Sequence, residues 1–146
     1  MSKKRVVKKK NNINIWVILG ILVVVALAVI VGLQGSNQSS TKIPLQVSVT
    51  QANQMRDDGA FILDVREPNE WEAGHIPGAT LIPLGELESR LDEVPTDQSV
   101  VVVCRSGNRS ATGRDILLNA GFTDVTSMAG GMNEWISKSF DVTIGQ

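Results

Sequence analysis

Four consecutive valines, Val100 to Val103, run directly into CRSGNRS, Cys104 to Ser110, and this junction limits the folds open to the chain. β-Branched side chains in a row suit a strand and fit a helix poorly. Successive strand residues point to opposite faces, so a strand of four valines must be covered on both sides. Two-sided burial is a property of parallel sheets flanked by helices. Three other runs, FILDV (Phe61 to Val65), TLIPL (Thr80 to Leu84) and DVTSM (Asp124 to Met128), also read as strands bounded by Gly, Pro or Asp. Between them, VTQANQMRDDG has a cap at Thr50 and a stop at Gly59, and LGELESRLDEVP ends at Pro95. SATGRDILLNAG starts on a Ser110 cap, aligns Gly113, Leu117 and Ala120 on one face, and stops at Gly121. These three segments are expected to be helices. The alternation predicts an α/β fold with a mostly parallel central sheet flanked by helices.

That domain does not use the whole chain. Among the first ten of the 146 residues six are basic and none acidic, and residues 13–33 are uncharged and, apart from Asn14, apolar. Residues 1–12 are therefore expected to be a basic cytoplasmic N-terminus and residues 13–33 a single transmembrane helix, with Trp16 at its interface. A cleaved signal, giving a secreted product, is the alternative; its apolar part normally spans about 7–15 residues, and the one A-x-A here lies inside the run. Residues 34–42, small and polar, read as a flexible tether, which leaves residues 43–146 as the globular domain on the extracytoplasmic side. All 15 acidic residues and the remaining eight basic ones lie beyond the first ten, giving that part of the chain a formal charge of −7. Such a balance argues against nucleic acid as a partner. One Cys and one His exclude an internal disulfide and leave no set of ligands with metal spacing.

Cys104 is expected at the carboxyl end of a central parallel strand, where open α/β sheets bind ligands. The loop after it, with Gly107 and Asn108 able to turn, can aim backbone N–H groups inward over the N-terminal end of the next helix. A lone cysteine is more often inert packing, yet five of the six residues that follow this one are polar or charged. Arg105 and Arg109 flank the loop, so the thiol pKa is expected to be lowered and the thiolate available as a nucleophile toward an anionic substrate.

Three separated motifs resemble those of rhodanese-like domains, sulfurtransferases with an α/β fold. LDVREPNEWEAGHIPGATLIP (Leu63 to Pro83) is similar to the family's N-terminal signature, CRSGNRS to its active-site loop, and MAGGMNEW (Met128 to Trp135) to its closing motif. The resemblance covers about Val47 to Val142; SKSFDV departs from the glycine and proline often found after the closing tryptophan. It implies Cys104 as the sulfur-carrying nucleophile, with Arg105, Ser106, Gly107, Asn108 and Arg109 around it. It further implies transfer of sulfur from thiosulfate or a related donor through a Cys104 persulfide to cyanide or a thiol, without a cofactor.

Arg66 and Glu70, after a strand end, are expected either to line the pocket, with Arg66 helping to bind the anion, or to pair with each other. His75, the only histidine, is expected to fix its loop rather than to catalyse, since a preformed thiolate needs no general base. Trp71, Trp135 and Phe61 are expected in the core. Two other functions fit part of the pattern. A cysteine phosphatase or arsenate reductase needs five residues between Cys and Arg, whereas four separate Cys104 from Arg109. A tethered persulfide carrier or binding module serving a partner protein would use the same loop.

Overall fold

The computed structural model describes residues 43–145. The expected transmembrane helix, the tether and Trp16 lie outside them. Among the described residues, no helix is long and apolar enough to cross a membrane.

In chain order the elements are β1 (Gln46–Val47), α1 (Val49–Asp57), β2 (Phe61–Asp64), α2 (Pro68–Glu72), β3 (Thr80–Leu81), β4 (Val100–Val103), α3 (Asn108–Asn119), β5 (Val125–Met128) and α4 (Gly131–Ser137). The five strands form one sheet in the order β1-β5-β4-β2-β3, and every strand pairing is parallel. The valine strand β4 sits in the middle, between β2 and β5, as its two-sided apolar character requires. Its side chains alternate between two cores. Val101 and Val103 join Ile62, Val49, Met128, Met132 and Trp135 on the face covered by α1 and α4. Val100 and Val102 join Leu63, Val65, Leu87 and Leu117 on the face covered by α3. Cys104 continues the same alternation into the second core. Helix α3 lies close against that face because Gly113 has no side chain: a Cβ there would stand 3.1 Å from Val102 Cγ1.

Several boundaries differ from expectation, each for a local reason. Helix α1 is capped by Ser48, not Thr50, in a capping box: Gln51 N donates to Ser48 Oγ at 3.3 Å and Ser48 N to Gln51 Oε1 at 3.0 Å. The segment from Leu84 to Pro95 is not an α-helix. It forms two short 3₁₀ turns, Leu87–Ser89 and Leu91–Glu93, because Arg90 between them leaves the helical region at φ −125°, ψ 26°. Leu87 and Val94 nevertheless reach the core, while Arg90 bonds both Glu86 and Glu93 at the surface. Helix α3 starts at Asn108, since Gly107 adopts φ 103° and serves as its cap in place of Ser110. The early helix start directs Ser110 inward, where it is fully buried.

Candidate active site

The chain runs from β2 outward to β3 and from β4 in the opposite direction to β5. The carboxyl ends of β2 and β4 are therefore neighbours from which the connections diverge, the position where open parallel sheets form ligand crevices. One wall is the loop Cys104 to Gly107 with the first turn of α3. The other is the segment after β2, Val65 to Gly74, containing α2.

Cys104 forms the floor, with only 1 % of its surface exposed. Its Sγ accepts the Gly107 N–H at 3.1 Å and stands 3.6 Å from Ser110 Oγ. Burial pushes the thiol pKa up. The Ser110 hydroxyl and the N–H groups of Ser110, Ser106 and Gly107 outweigh burial and hold it below its ordinary value. The Ser110 hydroxyl also lies 2.9 Å from the Gly107 carbonyl oxygen, so its single proton can turn to either acceptor. A neutral thiol can donate to Ser110 while Ser110 donates to the Gly107 carbonyl; a thiolate can accept a hydrogen bond from the Ser110 hydroxyl instead. The hydroxyl thus has a satisfied arrangement in both ionisation states.

The loop can present N–H groups to the sulfur because its carbonyls are engaged elsewhere. Met132 N donates to Cys104 O at 2.8 Å and Asn133 N to Arg105 O at 3.0 Å, so the first turn of α4 holds the loop from beneath. The fit is close enough to require glycine: Gly131 has φ 57°, and a Cβ on it would lie 2.5 Å from Arg105 C and 2.6 Å from Ser106 N.

The charges are distributed unlike the expectation. Arg109 donates to Glu70 through both terminal nitrogens, at 2.7 and 2.8 Å, closing a bidentate pair across the crevice from α3 to α2. Arg109 lowers the Glu70 pKa to about 2, against the opposing effect of burial. Arg105, Ser106 and Asn108 are exposed, and among the described residues the Arg105 side chain has no hydrogen-bond or ion-pair partner. Arg66 is neither in the pocket nor paired with the Glu70 carboxylate. It is 4 % exposed and grips Asp64 through Nε at 2.9 Å and Nη2 at 2.6 Å, while donating to the Glu70 and Gly74 carbonyls. With Nε and both terminal nitrogens engaged, the guanidinium is a brace that fixes the loop after β2.

His75 is also occupied by the fold. Its ring stacks on Trp71 with centroids 3.5 Å apart, its Nδ1 faces the Trp71 carbonyl at 3.1 Å, and its backbone pairs with Thr143. Trp71 is accordingly half-buried in this stack rather than in the core. Trp135 is fully buried, and Phe61 is partly buried against the second core. Among the described residues, no three His, Cys, Asp or Glu side chains are grouped to hold a metal ion.

The family model for the rhodanese-like domain matches residues 48–138. The chain belongs to that family. Its rhodanese-like domain is similar in structure to a rhodanese-related protein from Thermoplasma volcanium, with a TM-score of 0.65 at 28 % identity over 69 % of this chain and 99 % of that one. The human single-domain sulfurtransferase TSTD1 gives a TM-score of 0.62 at 29 % identity, covering 66 % and 98 %. In sequence the chain is 36 % identical to the thiosulfate sulfurtransferase GlpE of Pseudomonas syringae over 58 % of this chain and 80 % of that protein. It is also 36 % identical to the "Putative sulfur carrier protein YrkF" of Bacillus subtilis, over 74 % of this chain but only 59 % of that protein's length. A second Bacillus subtilis protein, YqhL, is 42 % identical over 54 % of this chain and 63 % of its own length.

Ser110 and Glu70 are the site groups that motif reading understated. Ser110, the last residue of CRSGNRS, reads as a helix cap and not as a donor to the sulfur, and Glu70 reads as a pocket-lining residue or a partner for Arg66 and not for Arg109. The signal for Glu70 was present in EPNE: Pro68 is the first residue of α2, and Glu70 closes a capping box with Glu67.

Two expected outcomes follow from this geometry. Arg66→Ala leaves the Asp64 carboxylate buried without its partner, and urea denaturation is expected to show a loss of about 3–5 kcal/mol. Ser110→Ala removes a donor to the sulfur, so the thiol pKa rises. The iodoacetamide alkylation rate of Cys104 then reaches its plateau at higher pH than in the wild type, as stopped-time mass analysis would show.

Proposed function

We propose that the domain is a sulfurtransferase that carries sulfane sulfur as a persulfide on Cys104, taking it from thiosulfate or a related donor and passing it to cyanide or a thiol. One observation carries the reading: a cysteine with a lowered pKa at the floor of a loop whose N–H groups point at its sulfur. The Cys104 thiolate attacks the outer sulfur of thiosulfate. A bond forms between that atom and Sγ as its bond to the central sulfur breaks, and sulfite leaves with the electron pair. Cyanide or a thiolate then attacks the outer sulfur of the persulfide, giving thiocyanate or a new persulfide and restoring the Cys104 thiolate. Both steps are displacements at sulfur in which negative charge stays within the loop, where fixed N–H dipoles stabilise it without reorganising. Arg105 and Arg109, with Ser106, Gly107 and Asn108, form the substrate-facing surface in this reading; Arg66 supports it from behind. The names of GlpE and TSTD1 favour an enzyme, whereas the name of YrkF favours a carrier that delivers its sulfur to a partner protein.

Intact-mass measurement after thiosulfate treatment is expected to show one added sulfur atom on the wild type, removed by cyanide. Cys104→Ser should fold normally, gain no sulfur and lose thiosulfate:cyanide activity. Activity retained in a folded serine variant would sink the assignment. A wild type that loads sulfur from thiosulfate but releases it to cyanide only slowly would select the carrier reading.

We propose further that residues 13–33 tether the domain to the membrane with the N-terminus in the cytoplasm, supported by the six cations that precede this apolar stretch. Protease added outside intact spheroplasts is expected to remove the domain, and the full-length chain to fractionate with membranes. Protection of the domain would reverse the orientation, and a soluble product starting near residue 34 would establish cleavage.

A further inference from the structure

We infer that Glu70 is a specificity-determining residue that sets the charge selectivity of the site: by pairing with Arg109 it withdraws one of the two loop cations and leaves Arg105 to face an incoming anion. The two guanidinium groups flank the same short loop, yet their surroundings differ. Arg109 is held across the crevice by a bidentate contact of 2.7 and 2.8 Å, with 31 % of its side chain and 20 % of that of Glu70 exposed. Arg105 is exposed, with no acidic partner among the described residues. The carboxylate is also fixed in place. Helix α2 begins with Pro68, its capping box ties Glu67 N to Glu70 Oε2 at 3.2 Å, and Arg66 donates to the Glu70 carbonyl at 3.1 Å. The Asp64–Arg66 brace therefore holds the backbone of the residue that neutralises Arg109. Arg109 stands in the first turn of α3, on the loop that begins at Cys104, and its pKa is raised chiefly by Glu70 and also by the charge of Cys104, so the pair and the reacting atom share one field.

A site with two free arginines would bind a dianion much more strongly than a monoanion. Cancelling one of them flattens that preference. The inference gives the site its donor class: sulfur donors of low charge, such as thiosulfonate or persulfide monoanions, are used with little disadvantage relative to dianionic thiosulfate. This donor class rests on the sulfur-transfer reading, whereas the field at Cys104 can be measured with no sulfur transferred.

The test is a four-cornered cycle of wild type, Glu70→Gln, Arg109→Gln and the double variant, reading the ratio of Cys104 alkylation rates by iodoacetate, an anion, and iodoacetamide, a neutral reagent. Dividing the two rates cancels changes in thiolate fraction and access that affect both reagents alike. Freeing Arg109 in Glu70→Gln should raise the ratio about threefold at low salt, and leaving Glu70 unpaired in Arg109→Gln should lower it by about as much. The double variant should return to near the wild-type value, and high salt should bring all four together. A pair that only props the loop would leave the double variant as far from wild type as Arg109→Gln. That outcome, or an unchanged ratio in Glu70→Gln, overturns the inference. In cyanide-coupled kinetics, Glu70→Gln should lower KM for thiosulfate about tenfold and for methanethiosulfonate, a monoanion, about threefold, the ratio expected from their charges. Equal changes for the two donors would also overturn it. A wild type that accepts no sulfur, with alkylation ratios that still follow the cycle, would remove the sulfur-transfer reading and leave the charge selectivity standing.

Discussion

A loop that turns its N–H groups toward one atom must turn its carbonyls away, and those carbonyls need partners of their own. Here the partners are Met132 N and Asn133 N, which take the oxygens of Cys104 and Arg105. A buried carbonyl left without a donor costs about 1–3 kcal/mol, so the loop could not keep this shape without them. The contact also requires close approach, which Gly131 permits by having no side chain at the point where loop and helix backbones meet. The turn between β5 and α4 is consequently as much a part of the site as the cysteine loop, although it need not touch a substrate. The MAGGMNEW motif is explained by that demand: Met128 anchors the strand end in the core, the glycines make the turn, and Trp135 fixes the helix by burying its ring and donating Nε1–H to Asp141 O at 2.9 Å.

The same reasoning separates what the sequence made legible from what it did not. The valine strand could hardly be anything else, since its own side chains dictate two-sided burial, and the parallel sheet and the place of Cys104 followed from it. The α/β class and the loop were readable because each depends on contiguous residues. Leu84 to Pro95 misled because leucines and acids at helical spacing are equally consistent with two tight turns, and only the packing of Leu87 and Val94 decides between them. Ser110 reads as a cap from its place before an apolar helix. Its actual role is set by Gly107, whose left-handed backbone starts the helix earlier and turns the hydroxyl inward. Arg66 shows the limit most clearly: an arginine after a strand end looks the same in a sequence whether it faces a ligand or an aspartate two residues before it. Asp64, buried at the end of β2, decided the matter, because a buried carboxylate requires a cation beside it.

The electrostatics of the site rest more on dipoles than on net charge. The part of the chain beyond its first ten residues is acidic, Arg66 is spent on Asp64, and Arg109 is balanced by Glu70. What remains at the sulfur is a set of N–H groups fixed in direction by the fold and one hydroxyl that can turn toward it. Burial works in both directions here. It penalises the thiolate by excluding water, yet it also removes the solvent that would screen those donors, so their pull on the sulfur is stronger than it would be at a surface. In Cys104 the donors prevail. The result is a thiolate stabilised by donors already in place, and in the proposed sulfur transfer the same donors would serve the persulfide once the negative charge has moved outward by one atom. A pocket charged by free arginines would hold the dianionic donor and the departing sulfite with similar strength, and so hinder its own turnover. In the proposed reaction, fixed dipoles at the base, with Arg109 paired to Glu70 and Arg105 left free, would stabilise the bound sulfur while leaving the released anion free to go.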